Sequence, residues 1–244
     1  MSSGLRAYPA ILLPDGAWRF SLAAWFSRLF RVGTSVGVIM LVVEATGDYA
    51  LAGVAAGATV VASAVAAPLW SRAADRRGQL RVIPVAIVAI LLSTALLIAV
   101  VRVDAPRWTW IVAAALAGLT ILDGGAIVRA RWLHRLHDAP SRQSALALES
   151  ASDELAFLLG LPLVALAAGI VGPSIALAGA AVLSCAGFGA LALMRSSAPP
   201  VTLVDALAPT GGFRTWVPTG VLGPAAAFRG GGMIGGGGTC LPIV

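Results

Sequence analysis

The chain has 244 residues, of which 59% are hydrophobic and only 11% are charged. Soluble domains usually carry about 25% charged residues, and a soluble fold of this size leaves about 30% of its chain surface in water. So few polar residues exclude an ordinary soluble enzyme, a disordered chain and a disulfide scaffold. They indicate a polytopic membrane protein.

The net charge of +6 comes from 17 basic residues, all of them arginine, against 11 acidic residues. In a soluble protein this balance would indicate nucleic acid as a partner. In a membrane protein, arginines at helix ends are expected on the cytoplasmic side, so we expect no nucleic acid here. The two cysteines and two histidines have no metal-ligand spacing, and we expect no metal and no cofactor.

Six apolar segments are long enough to cross a bilayer, which takes about 20 residues of helix. In chain order they are about residues 20–44, 49–70, 82–101, 108–128, 153–171 and 174–194, and we number them spans one to six. They predict an all-α fold, a polytopic six-helix transmembrane bundle over residues 1–195. Residues 196–244 are rich in Gly and Pro, and they predict a low-complexity tail or an aborted seventh helix.

The links between the spans alternate in charge. Arginines crowd the link between spans two and three and the link between spans four and five, whereas the other links are nearly neutral. Because positive links stay in the cytoplasm, this pattern predicts a multi-pass protein of the cell membrane with cytoplasmic N- and C-termini. The arginines of the two links are Arg72, Arg76, Arg77 and Arg81, and Arg129, Arg131, Arg135 and Arg142.

The link between spans two and three reads Ser71-Arg72-Ala73-Ala74-Asp75-Arg76-Arg77-Gly78-Gln79-Leu80-Arg81. Gly78 permits a tight turn between antiparallel helices, and Asp75 can accept charge-assisted hydrogen bonds from arginine. The segment resembles the loop signature of the major facilitator superfamily, Gly-x-x-x-Asp-Arg-x-Gly followed by basic residues. Ser71, Gln79 and Leu80 depart from that signature.

Three further segments resemble an actinomycete-type group of the same family. They open span one (residues 17–22), follow span four (128–132) and enter span five (148–155), so the resemblance covers residues 17–195. It implies the N-terminal six-helix half of a twelve-helix transporter, in which substrate binds between two bundles. No nucleophile–base pair or paired acid site emerges, so we expect no enzyme.

The resemblance implies transport of a small molecule by alternating access, with proton-coupled efflux, in a chain truncated to one half. Two alternatives are a non-transporting truncation product and a six-helix membrane protein that acts by self-association. The expected partners are the lipid bilayer, an unknown small-molecule substrate, protons, and a second copy or a missing second half.

The resemblance assigns a gating motif to Asp75, Arg76, Gly78 and Arg81. Contacts of such residues at the membrane face can hold a gate in one state and release it in another. The alternative is a charged turn that only enforces topology.

Charges inside the membrane predict a second site. Arg28 and Arg31 lie on one face of span one, and an arginine at mid-helix costs about 2.5–3.5 kcal/mol on insertion scales. Asp123 in span four is the predicted partner, in a cavity-facing cluster for substrate anions or proton coupling. The alternatives are a structural ion pair and arginines that reach to the membrane surface.

Glu149, Asp153 and Glu154 precede predicted span five. We interpret them as first-turn acids that favour the helix dipole, with Ser150 or Ser152 as the cap. The alternative hypothesis makes Asp153 and Glu154 gate partners of the arginine-rich links, which include Arg129 and Arg131.

Overall fold

The computed structural model describes residues 17–198, and the predicted tail therefore lies outside the described residues. Within that part the chain is helical, and six of its helical segments are long and apolar enough to cross a membrane. The helices are Ala17–Ser27 and Leu29–Thr46 (span one), Tyr49–Arg77 (two), Gln79–Arg102 (three), Arg107–Leu119 and Gly124–Arg135 (four), Ala139–Val171 (five) and Pro173–Leu193 (six).

The turn between spans two and three depends on glycine. Gly78 has φ 84°, and its amide donates to the carbonyl of Ala74, which ends span two. A residue with a Cβ is strained at this φ, so glycine is favoured where two antiparallel helices meet in one residue. Gly172 makes the corresponding turn between spans five and six with φ 91°.

Span one occupies the centre of the bundle, where it packs against spans two, five and six. A Cβ on Gly33 would stand 2.7 Å from Val164, and one on Gly37 would stand 2.8 Å from Leu177. The two glycines therefore allow spans five and six to approach span one closely. Many large apolar side chains on the outer faces are exposed, as a lipid-facing surface requires.

Span five begins at Ala139, much earlier than the sequence predicts. Asp138 caps it, accepting a hydrogen bond from the Ser141 amide at 2.9 Å. Hydrogen bonds from the Ser141 side chain and amide lower the pKa of the Asp138 carboxyl. The predicted caps Ser150 and Ser152 were wrong, because both lie inside the helix and donate to carbonyls one turn back.

Spans one and four are both interrupted, and the interruptions touch. Span one tightens at Arg28, whose amide donates to the carbonyl of Trp25 three residues back. Span four stops at Leu119 and restarts at Gly124. A Cβ on Gly124 would overlap the Ser27 hydroxyl, so glycine is needed for this close approach of the two spans.

Candidate functional site

Six charged side chains from three spans meet beside these interruptions, and we call them the charge cluster. Span one supplies two arginines, span four one aspartate and one arginine, and span five two acids, so the formal charges balance as three positive against three negative. The members are Arg28 and Arg31 of span one, Asp123 and Arg129 of span four, and Glu149 and Asp153 of span five.

Arg28 and Glu149 form the innermost pair of the charge cluster, and both side chains are fully buried. Glu149 also accepts hydrogen bonds from Ser21 Oγ at 3.0 Å and from Trp132 Nε1 at 2.9 Å. A buried carboxylate is tolerated when it is paired and hydrogen-bonded in this way. Glu149 is therefore a core residue of span five, and its interpretation as a first-turn acid was wrong.

Asp153 contacts three arginines from two spans. Its carboxylate accepts from Arg28 Nε at 2.7 Å and from Arg129 Nη1 at 2.9 Å, and it lies 3.5 Å from Arg31 Nη2. Such charge-assisted hydrogen bonds fix the relative positions of spans one, four and five.

Asp123 was predicted as the direct partner of Arg28 and Arg31, and the structure gives it another role. Its carboxylate accepts from the Gly125 amide at 2.9 Å, where it caps the second half of span four. Its ion pair within the described part of the chain is with Arg129 at 3.6 Å. The break at residues 120–123 turns Asp123 toward its own helix end, so it reaches the arginines of span one only through Arg129 and Asp153.

Two arginine nitrogens of span one are buried without a hydrogen-bond partner among the described residues. They are Nη1 of Arg28 and Nε of Arg31. The Arg31 guanidinium also stands 5.1 Å from the centre of the Phe157 ring, and 29% of the Arg31 side chain is exposed. The charge cluster therefore has two N–H groups that can still donate a hydrogen bond.

The predicted gating motif lies at the arginine-rich end of the bundle. Gly78 forms the turn, while Asp75, Arg76 and Arg81 are exposed. None of these three takes part in an ion pair with another residue in the described range 17–198. A cleft of about 50 Å³ between spans two and four has both Asp75 and Asp123 in its lining.

Arg131, predicted as a gate partner, is fully buried at the same end, where it links two spans by hydrogen bonds. Its guanidinium donates to Gln79 Oε1 at 3.0 Å, to the Leu191 carbonyl at 2.8 Å and to the Met194 carbonyl at 3.2 Å. It thereby joins the start of span three to the end of span six, whose last carbonyls lack helical partners. Glu154, the remaining predicted partner, is exposed.

Sequence reasoning missed three functional candidates: the pairing of Glu149 with Arg28, the Trp132 hydrogen bond and the role of Gln79. The spacing of Glu149 and Asp153 was the available signal, since residues four apart share a helix face. This spacing would have placed both acids in the charge cluster only with a helix that begins before Glu149, as the helix Ala139–Val171 does.

The family model described as Major Facilitator Superfamily matches residues 20–239. The chain belongs to the major facilitator superfamily. Neither the curated proteins nor the solved structures contain a match. The six apolar helical segments of the chain agree with a half bundle of this family. The chain is therefore a multi-pass membrane protein that lies in the lipid bilayer, and its family is one of transporters.

Proposed function

We propose that this chain forms one bundle of a secondary transporter that exports a small molecule by alternating access, driven by protons. The family membership supports transport, and the charge cluster supports the mechanism. Ion pairs that join spans one, four and five are the kind of contact that can differ between two states of a gate.

The arginine-rich end faces the cytoplasm of the cell membrane in this proposal, which places both termini inside. The supporting observation is that the exposed arginines of the gating motif and the links at this end follow the positive-inside rule. A cysteine at His137 should react with an impermeant maleimide only in opened cells, and one at Asp104 should react in intact cells. Equal labelling of the two sites in intact cells would contradict the orientation.

Alternating access needs two bundles that move against each other. We propose that a second copy of this chain or a separate chain supplies the other bundle. The exposed Asp75, Arg76 and Arg81 are free to contact it, because they form no ion pairs with other residues between 17 and 198. The competing proposal is a six-helix membrane protein that acts by self-association and does not transport.

Asp123 is the proposed proton-coupling carboxylate. Its ion pair with Arg129 is long, at 3.6 Å, and 33% of its side chain is exposed. Asp153, by contrast, is held by three arginines, so Asp123 is the less constrained of these two carboxylates. The small cleft that Asp75 and Asp123 line has room for a water molecule, which offers protons a path from the arginine-rich end.

The test compares Asp123→Asn with Asp48→Asn in proteoliposomes. Both aspartates cap helices, and asparagine caps equally well, so both variants should fold. A panel of fluorescent organic anions and cations is screened for movement driven by a pH gradient. We expect Asp123→Asn to abolish the dependence on the gradient and Asp48→Asn to keep it. Unchanged coupling in Asp123→Asn would exclude the assigned role, and no movement by the parent protein would favour the competing proposal of self-association without transport.

A further inference from the structure

A groove runs along the outer surface of the bundle, between the first helix of span one and the last part of span six. Its volume is about 450 Å³, within the range of about 300–1,000 Å³ that is usual for small-molecule pockets. Among the described residues that line it, one is charged and the others are apolar. We call it the side groove, and its lining includes Trp18, Arg19, Leu22, Phe26, Leu183 and Met194.

Small residues make the floor of the side groove. Gly187 of span six lies directly against span one, since a Cβ on it would stand 2.5 Å from the Ala23 carbonyl oxygen and 2.6 Å from the Ser27 amide nitrogen. The two helices therefore meet backbone to backbone at this point. Ala186 and Ala190 also line the groove, and their methyl side chains leave room between the larger residues of the lining.

The length of the side groove matches the depth of one lipid leaflet. Trp18 and Phe26 are eight residues apart on span one, which corresponds to about 12 Å of helix. On span six the lining runs from Leu183 to Met194 at the helix end, which is about 16 Å. One leaflet contributes about 15 Å of the hydrocarbon core. Trp18, Leu22 and Leu183 are each about half exposed, so the groove opens sideways to the lipid.

One end of the side groove is positively charged. Arg19 is exposed, and its guanidinium lies 5.7 Å from the centre of the Trp18 ring. Arg195, just past the end of span six, is also exposed, and neither arginine has an acidic partner in the described part of the chain. The last carbonyls of a helix carry partial negative charge, which repels anions. Arg131 donates to two of them here and so offsets that charge.

We propose that the side groove binds an anionic phospholipid of the surrounding bilayer, with one acyl chain along its apolar walls and the phosphate beside Arg19. Arginine donates charge-assisted hydrogen bonds to phosphate oxygens. Tryptophan is favoured at the level of the headgroups, and Trp18 lies beside Arg19 at that end. The bound lipid touches both helices and thereby holds the first helix of span one against span six. This site lies outside the charge cluster, and it is independent of the proposed transport.

The test measures lipid binding to the full-length protein in mild detergent by native mass spectrometry, which counts bound lipids directly. The probes are phosphatidylglycerol, which is anionic, and phosphatidylcholine with the same acyl chains, which has no net charge. We expect phosphatidylglycerol to bind at least about fivefold more tightly, since one arginine near the membrane surface favours an anionic lipid by about this factor. Equal affinities would overturn the proposal. Absence of binding would also overturn it, and would leave another part of this chain or a second copy as the occupant.

A pair of charge variants locates the phosphate. Arg19→Gln removes the charge at the side groove, and Arg72→Gln removes an exposed arginine from the link between spans two and three. We expect Arg19→Gln to weaken phosphatidylglycerol binding by about fivefold, and Arg72→Gln to leave it unchanged. Equal effects of the two changes would refute the assigned site, because the attraction would then come from the whole arginine-rich end.

A pair of size variants locates the acyl chain. Ala186→Phe places a ring in the side groove, and Ala64→Phe adds the same ring to span two, outside the groove. Both alanines are exposed, so both variants should fold. We expect Ala186→Phe to weaken phosphatidylglycerol binding by about tenfold, the usual effect of forcing extra atoms into an occupied space, and Ala64→Phe to bind as the parent does. Unchanged affinity in Ala186→Phe would refute the side groove as the site.

Discussion

Replacing Glu149 with leucine leaves the buried guanidinium of Arg28 with Asp153 as its remaining acidic partner in the charge cluster. It also removes the acceptor of two further donors, Ser21 Oγ and Trp132 Nε1. Removing one partner of a buried ion pair usually costs about 3–5 kcal/mol, because the other charge stays buried. An unsatisfied buried donor costs about 1–3 kcal/mol, and these costs overlap.

We therefore expect Glu149→Leu to lower the free energy of unfolding by about 4 kcal/mol. For a protein of this size, that corresponds to a fall of roughly 10 °C in the melting temperature. The assay is thermal unfolding of the purified protein in mild detergent, followed by helical circular dichroism and by size-exclusion chromatography.

The double variant Arg28→Leu/Glu149→Leu separates the pair from general damage. It removes both charges, and leucines in place of a buried pair are often neutral or stabilising. Asp153 keeps Arg129 and Arg31 as partners. We expect the double variant to recover at least about 2 kcal/mol relative to Glu149→Leu, as a coupling energy between contacting residues. If the double variant is no more stable than Glu149→Leu, the assigned pairing is refuted.

Three further perturbations test other parts of the structure. Gly124→Ala should reduce the yield of folded protein because its Cβ would overlap the Ser27 hydroxyl, whereas Gly57→Ala, which meets nothing within 4 Å, should fold normally; similar yields would contradict the contact between the two interruptions. Arg131→Met should speed hydrogen exchange at the end of span six, because the Leu191 and Met194 carbonyls lose their donor; unchanged exchange would contradict this role of the Arg131 hydrogen bonds. Asp138→Ala should lower thermal stability at neutral pH. Because the folded pKa of Asp138 is lowered, its contribution is present above its ordinary pKa of about 3.9 and is lost as the pH falls through the folded value. If Asp138→Ala remains less stable than the parent below the folded pKa of Asp138, the ionised carboxylate is not the source of the stabilisation.

Hydropathy alone predicted the number and order of the spans, because each is an apolar run that must leave water and can satisfy its backbone as a helix. The turn at Gly78 was equally readable, since one glycine between two long helices has few other uses. The start of span five was not readable, because the polar residues before Asp153 look like a link until their burial is known.

The sequence by itself determined which segments enter the membrane and that arginines lie among them. The tertiary structure alone decided the partners: Arg28 meets Glu149 across 121 residues of chain, and Arg131 meets the carbonyls at the end of span six. Local pattern specifies which residues avoid water and which share a helix face. Which faces meet depends on how closely the helices pack, and here that depends on Gly33 and Gly37 of span one and on Gly124 at the interruption of span four.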